Sequence, residues 1–438
     1  MTRILLATLG SLGDLNPYIA VGHALRLRGH AVRLATSIDY RSRVECAGLE
    51  FAPLAPSIAE LGDSEQTAKR FFHPWRGPQR LFEAMVNAPL RRAYSDLCAA
   101  AEGVSLAVSH PLTPVLPMIA ERRGFPWLSS VLAPYSLFSA TDPSVIPSLE
   151  WLQKLPRLRN WPHGLLVRLV RSVVRRWEAP LHALRAELGL PPIDGSLLMG
   201  GQFSPRGTLA LFDPALAAPQ PDWPSRTTVC GAALHDAPDP QHDGPDRQPH
   251  ASHPQHPSPR PTDALERFLA AGPPPIVFAL GSSAVWLARD YWKHAIAACE
   301  VLGARGLLLT GTPLQQPLPA HIAAFDYLPY SRVFSRATAI VHHAGIGTLS
   351  HALRSGCPQL LTPAGFDQAD NAARVVRLGV GRLLPFRRAH NTARLVSELR
   401  ALIGTPAYER AATGLAQTSR RIDGAATAAQ RIVDSLGA

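Results

Sequence analysis

Apolar positions in this chain come mainly in short unbroken runs of strand length, each followed by a polar or glycine-rich break and then a segment with helical spacing. Continuous runs of that size fit strands covered on both faces, as in a parallel sheet wrapped by helices. The first run is 4–8, and the loop 9–15 follows it. Asn16 and Pro17 then read as helix cap and first helical residue, because proline lacks the amide that a first turn leaves unpaired. That helix is predicted to end near Arg28, with Gly29 as its stop. A strand at 32–36, a helix near 40–47, a strand near 50–52, a helix near 79–101, a strand at 105–109, a helix near 113–123 and a strand at 127–131 continue the alternation. This is the grammar of a doubly wound α/β domain.

The alternation stops and then restarts. Residues 236–262 are rich in Pro, His and Asp and almost free of apolar side chains, so they cannot bury a core and read as a disordered linker. His242, His250, His253 and His256 lie there, but no rigid scaffold fixes them as metal ligands, and an accidental polar linker is the preferred reading. The expected division is an N-terminal domain at 1–230, a flexible linker at 231–262 and a C-terminal domain at 263–438, with the last helices free to return to the first domain. In the second domain strands are expected at 276–280, 307–310, 338–341, 359–362 and 380–384. Helices are expected near 290–302, 349–355, 394–402, 408–420 and 425–435. Two Rossmann-like domains would then enclose a cleft at their strand C-terminal edges, a natural place for a reaction between two ligands.

The densest chemistry lies in 327–371. After the strand 338–341 come His342-His343-Ala344-Gly345-Ile346-Gly347-Thr348 and then a helix. Strand, glycine loop and helix start in that order make an anion site, since loop amides and the helix dipole point at the same spot. The glycines at 345 and 347 allow the backbone to approach a ligand closely. A tight turn between strand and helix explains one glycine, but not two histidines before it or Asp367-Gln368 after the next strand. A diphosphate is therefore the preferred ligand; neither a Walker loop nor Gly-x-Gly-x-x-Gly is present. His343 with the amides of Gly345, Gly347 and Thr348 could hold such a group, and Ser282 and Ser283 could reach it from the neighbouring loop. Tyr327, before Leu328-Pro329, could stack on a nucleobase, and Asp367 and Gln368 suit sugar hydroxyls. The phosphate charge would be met by the helix end and His343, so no metal or other cofactor is expected.

In the first domain Asp14 stands just ahead of the predicted helix. It could deprotonate an acceptor hydroxyl, or it could only cap loop amides; position alone leaves both open. His110, after the strand 105–109, could be a base or an acceptor contact, although local satisfaction of its loop is the simpler reading.

Composition narrows the partners. The formal net charge is +11, with 46% hydrophobic and 18% charged residues, which suits a sizeable core and anionic ligands. Helix-turn-helix, zinc-finger and RNA-binding signatures are missing from the sequence, which disfavours nucleic acid. The five cysteines are scattered without Cys-x-x-Cys, so a reducing cytoplasm is expected. No signal peptide or spanning segment is read. The segment 151–177 carries seven basic residues and one acid-free apolar stripe. It reads either as a helix on an anionic membrane surface, or admitting a lipid, or as an ordinary packed helix; the packed reading is preferred because most amphipathic helices simply pack.

These motifs, Gly10-Ser11-Leu12-Gly13-Asp14-Leu15-Asn16-Pro17 and His342 through Gly356-Cys357-Pro358-Gln359 to Asp367-Gln368, resemble the GT-B nucleotide-sugar-dependent glycosyltransferases of family 1 over nearly the whole chain. The resemblance implies an inverting transferase with Asp14 as general base. It implies that His343, Gly347 and Thr348 meet the diphosphate, and that Asp367 and Gln368 meet the sugar. Tyr327 stands where many members have a tryptophan over uracil, so UDP and dTDP both remain open. Pro205-Arg206-Gly207, Leu211-Phe212, Pro221-Asp222-Trp223-Pro224, Leu308-Leu309-Thr310-Gly311 and 367–372 resemble the rhamnolipid-forming rhamnosyltransferase branch. That likeness implies L-rhamnose from dTDP-L-rhamnose moved onto a β-hydroxy fatty acid, with 151–177 available for peripheral contact at the inner membrane face. The alternatives are UDP-glucose transfer to a sterol, polyketide or carotenoid, a sugar-nucleotide epimerase, and a catalytically silent partner subunit. A nucleotide-binding oxidoreductase is the weakest, for want of Gly-x-Gly-x-x-Gly.

Overall fold

The computed structural model describes residues 2–145, 163–236, 261–288, 290–314 and 317–437, the side chains of 163–168, 261–262 and 283 excepted. The predicted linker lies almost wholly outside the described residues, as does the first half of the basic segment. The chain forms two compact units: Met1–His235 with Gly365–Arg374 and Arg421–Ala438, and Asp236–Ala364 with Val375–Arg420.

The first unit holds a seven-stranded parallel sheet in the order β3-β2-β1-β4-β5-β6-β7. Its strands are β1 (Arg3–Ala7), β2 (Ala31–Thr36), β3 (Glu50–Pro53), β4 (Leu106–Ser109), β5 (Trp127–Val131), β6 (Thr208–Ala210) and β7 (Thr227–Val229). The second unit holds a six-stranded parallel sheet in the order β10-β9-β8-β11-β12-β13. Here the strands are β8 (Ile276–Ala279), β9 (Gly306–Leu309), β10 (Ile322–Phe325), β11 (Ala339–His342), β12 (Gln359–Leu361) and β13 (Gly381–Leu383). The central strands carry the apolar runs, and Ile4, Leu5, Leu6, Val277, Phe278, Ile340 and Val341 are fully buried. Each such apolar side chain stabilises its sheet by roughly 1.5–3 kcal/mol.

Several expectations need correction. The first helix is Leu12–Arg26, not a helix begun at Asn16: Ser11 is its cap, and Pro17 lies inside. The signal was a Ser-x-x-Asp capping box, which outweighs the proline because it satisfies two orphan amides at once. The chain leaves the helix after Arg26, and Gly29, at φ 83°, closes the following turn. The helix predicted at 79–101 is broken into Gly77–Phe82, a wide turn at Glu83–Asn87 and Leu90–Ala100, because Pro89 supplies no amide to the ladder. Strands β6, β7 and β10 and the helices Ala179–Glu187 and Pro261–Ala270 had no counterpart in the pattern. Strands of three or four residues are too short to show a period, and these are paired by long-range contacts. The described part of the basic segment forms the helix His163–Trp177, whose Trp177 packs on the first unit's core while Leu169 and Val173 stay exposed. Among the described residues no helix is long and apolar enough to cross a membrane.

Candidate functional site

In each sheet the strand order reverses beside the first strand, between β1 and β4 and between β8 and β11. Helices leaving two such strands turn to opposite faces and leave a crevice at the strands' C-terminal ends, where doubly wound proteins bind ligands. The loop after β1 carries Asp14, and that after β4 carries His110. The residues after β8 carry Ser282 and Ser283, and those after β11 carry His343 to Thr348. These candidates thus emerge at the two switch points, whereas Tyr327 follows β10 and Asp367-Gln368 follow β12.

Asp14 is held asymmetrically. Its Oδ2 accepts the Ser11 amide at 2.8 Å and the Ser11 hydroxyl at 3.0 Å. Its Oδ1 lies 3.7 Å from His110 Nε2, beyond good hydrogen-bond reach. Gly10, at φ 133°, is required beside it, because a Cβ there would run into the carboxylate. The side chain keeps 31% of its surface accessible, yet the surrounding protein desolvates it and pushes its pKa up to about 6, with the Ser11 hydrogen bonds opposing the shift. Asp14 is therefore both cap and base candidate: one oxygen does each job.

His110 is buried, and burial lowers its pKa to about 3, so it is neutral at pH 7. Its Nδ1 accepts the Leu112 amide at 3.2 Å, which leaves the proton on Nε2, toward Asp14. Tyr18 stands edge-on to the ring at 5.9 Å, and its hydroxyl pairs with Ser130 Oγ at 2.5 Å. His110 is thus a neutral donor next to the carboxylate rather than a rival base.

Asp367 belongs to the first unit. Burial raises its pKa to about 7; the negative charge of Asp14 adds to the rise and the Asn371 side chain, donating at 2.8 Å, opposes it. Burial and then the charges of Asp367 and Asp370 push the Tyr135 hydroxyl up to about 12. Gln368 is buried, and its Oε1 accepts the Gly365 amide at 3.2 Å. Phe366, at φ 56°, meets Phe72 edge-on at 5.0 Å.

In the second unit β11 extends through His342, one residue beyond the predicted strand, and the helix Ile346–Ser355 starts three residues early, capped by Gly345. His342 Nδ1 accepts the Ala344 amide at 3.2 Å, so Nε2 donates to Gln359 Oε1 at 3.0 Å. His342 is thus structural: it ties the loop to β12. His343 is wedged between two glycines, since a Cβ on Gly281 or on Gly345 would run into its ring. Burial, with His342 nearby, lowers its pKa to about 3 against the opposing Ala279 backbone, so the ring is neutral at pH 7. Thr348 is buried and its hydroxyl donates to Tyr330 Oη at 3.3 Å. Gly347 lies in the first turn of the helix, where backbone amides have no partner within the helix. Ser282 is exposed, within a one-turn helix, Gly281–Ala284, rather than the expected loop; Ser283 is the next residue of that turn. Tyr327 is half-buried between β10 and the short helix Tyr330–Val333. Leu328, the next residue and a further expected donor contact, has its side chain buried in the core with Val333 and Phe334 and has only backbone groups to offer a ligand. Sequence reasoning missed Ser11, whose capping motif was readable, and Asp236, which takes the Tyr330 and Ser331 amides at 3.0 and 2.5 Å from far along the chain.

Residues 4–134 match the model of the glycosyltransferase family 28 N-terminal domain, and residues 309–433 that of the C-terminal domain like erythromycin biosynthesis protein CIII. The chain is 32% identical to O-mycaminosyltylonolide 6-deoxyallosyltransferase of Streptomyces fradiae over 99% of its own length and 95% of that protein. It is 29% identical to vancomycin aglycone glucosyltransferase of Amycolatopsis orientalis, over 99% and 98% of the two chains. Among solved structures, the spinosyn rhamnosyltransferase SpnG complexed with thymidine diphosphate superposes with a TM-score of 0.64 at 16% identity, covering 99% and 100% of the two chains.

Proposed function

The chain belongs to the GT-B glycosyltransferases of family 1, and from that premise we propose that it performs an inverting, metal-independent transfer of a hexosyl group from a nucleotide diphosphate sugar to a hydroxyl of an apolar secondary metabolite. As a glycosyltransferase it is an enzyme, which removes the silent subunit and the oxidoreductase from consideration. The epimerase reading is set aside because the whole-length relatives are named as transferases. The acceptor class is supported by whole-length similarity to enzymes named for O-mycaminosyltylonolide and the vancomycin aglycone. The first of these is named a 6-deoxyallosyltransferase and SpnG is complexed with thymidine diphosphate, which together support a dTDP-linked 6-deoxy sugar as donor here.

The observation that carries the mechanism is Asp14 Oδ1, the oxygen that Ser11 leaves free on a carboxylate with a pKa of about 6. Such a group is ionised at neutral pH and still basic enough to take a proton. In the proposed step the acceptor O–H proton passes to Oδ1. The acceptor oxygen attacks the anomeric carbon, the bond to the diphosphate breaks, and the nucleoside diphosphate leaves with its electron pair. One displacement inverts the anomeric centre. The negative charge on the leaving group is met by the amides opening the helix Ile346–Ser355, with the neutral His343 ring assigned to the diphosphate beside them. Asp367 and Gln368 are assigned to the sugar hydroxyls, and Tyr327 to the base.

A second reading keeps the donor and makes the acceptor a β-hydroxy fatty acid receiving L-rhamnose. It is favoured by the stretches 205–207, 211–224 and 367–372, which resemble the rhamnolipid branch. Incubation with dTDP-L-rhamnose or UDP-glucose and a panel of a macrolactone, a glycopeptide aglycone and a β-hydroxy fatty acid, read by mass spectrometry, separates the two. Product on the macrolactone or the aglycone supports the main reading. Product on the fatty acid alone replaces it with the second, and sugar-nucleotide turnover without product on any of the three refutes both acceptors.

A further inference from the structure

Arg374 is 2% exposed in its side chain and lies one helical turn beyond Asp370, which is fully buried, in the helix Gln368–Arg377. Its Nε donates to Asp370 Oδ2 at 2.8 Å. Its Nη1 donates to Asp142 Oδ2 at 2.5 Å and to the Leu216 carbonyl at 3.1 Å. The other oxygen of Asp370 accepts the Val145 amide at 2.9 Å. Asp142 in turn sits on a loop that Asp222 holds by four bonds. The Ser139 and Thr141 hydroxyls donate to Asp222 Oδ1 at 2.7 and 2.8 Å, and the Ala140 and Thr141 amides to Oδ2 at 2.6 and 3.3 Å. The run from Asp222 to Asp370 lies wholly in the first unit. Three residues before Asp370 in the chain is Asp367, which Asn371 holds at 2.8 Å.

Two carboxylates and one guanidinium taken out of water stabilise a fold little more than apolar residues of the same volume, because desolvation offsets their attraction. What they supply here is direction, since each charge-assisted bond restrains an angle as well as a distance. We propose that Asp222, Asp142, Arg374 and Asp370 form a positioning frame that sets the orientation of the helix Gln368–Arg377, and with it the placement of Asp367 and Gln368 against the transferred sugar. The frame also gives a role to the stretch Pro221-Asp222-Trp223-Pro224, which the transfer chemistry does not use. Arg374 is on this account a positioning residue for the donor sugar, and the inference rests on the reading of Asp367 and Gln368 as sugar contacts.

The test compares affinities of the full chain for dTDP-glucose and for dTDP by calorimetry, because only the first has a sugar to be held. Asp367→Asn is expected to abolish the preference for the sugar nucleotide. Arg374→Lys keeps the charge and loses the planar fork, and Asp142→Asn removes one arm. Each is expected to cut the preference roughly tenfold while the dTDP affinity stays within about twofold. Asp222→Asn combined with Arg374→Lys should lose no more than the worse single variant, as for groups acting in one unit. If Arg374→Lys does not fold, Asp142→Asn carries the test, since that carboxylate keeps 24% of its surface accessible. Affinities for dTDP and dTDP-glucose that fall together, in step with the melting temperature, would overturn the frame and leave Arg374 an ordinary core residue. A preference that Asp367→Asn leaves intact would instead overturn the sugar assignment, and the frame with it.

Discussion

Asp14 is one residue asked to do two things, and its two oxygens divide them. Because its pKa of about 6 exceeds the ordinary 3.8, folding holds its proton more tightly than the unfolded chain does. Between these values the unfolded state has released the proton and the fold has not, so this group's contribution to stability falls as pH rises from about 4 to about 6 and is level above. The carboxylate therefore destabilises the fold by up to about 3 kcal/mol at pH 8. Asp14→Asn should raise the melting temperature at pH 8 more than at pH 5 while lowering kcat by about 10²–10⁴-fold. A variant both inactive and less stable at pH 8 would contradict this. The acid limb of kcat/KM should fall near pH 6. His110→Ala should lower the rate without adding or removing a titration between pH 5 and 8, because His110 is neutral throughout that range.

At the scale of elements, the loops after β1 and β11 show how a helix start becomes a site. The capping box that opens Leu12–Arg26 is also what holds Asp14 Oδ2. Ser11→Ala should cost about 1 kcal/mol of stability, as cap losses do. It should also shift the acid limb of the pH profile upward, because the Ser11 hydroxyl lowers the Asp14 pKa. A limb that stays in place would separate the cap from the base. In the other loop Gly345 has φ −62°, an ordinary value, so glycine is needed there for space and not for backbone freedom. Gly345→Ala presses on His343, costing about 1–3 kcal/mol by overpacking, and should weaken dTDP or UDP binding in calorimetry well beyond its effect on melting.

At the scale of the whole molecule, the chain end returns to its beginning. The helix Gly424–Asp434 packs in the first unit with Ala428, Ala429 and Ile432 fully buried, and Gly424 lies so close to the Gly231 carbonyl that a Cβ would collide with it. Removing 421–438 should destabilise the first unit, with roughly 1.5–3 kcal/mol from Ile432 alone. Limited proteolysis should then cut within 1–145 before it cuts the second sheet, and unchanged protection there would refute the dependence.

Local pattern determined the doubly wound architecture, the two glycine loops, and Asp14, His343, Gly345 and Thr348 as candidates. Buried parallel strands must be continuous apolar runs, and a loop that receives an anion needs glycine and a helix start close in sequence, so both leave a readable spacing. Tertiary structure alone decided the rest. The free oxygen and raised pKa of Asp14, the neutrality of His110 and His343, the burial of Leu328, the place of Asp367 in the first unit and the run from Asp222 to Asp370 all depend on which distant segments surround a group. Desolvation and long-range hydrogen bonds are properties of that surrounding, and no spacing along the chain encodes them.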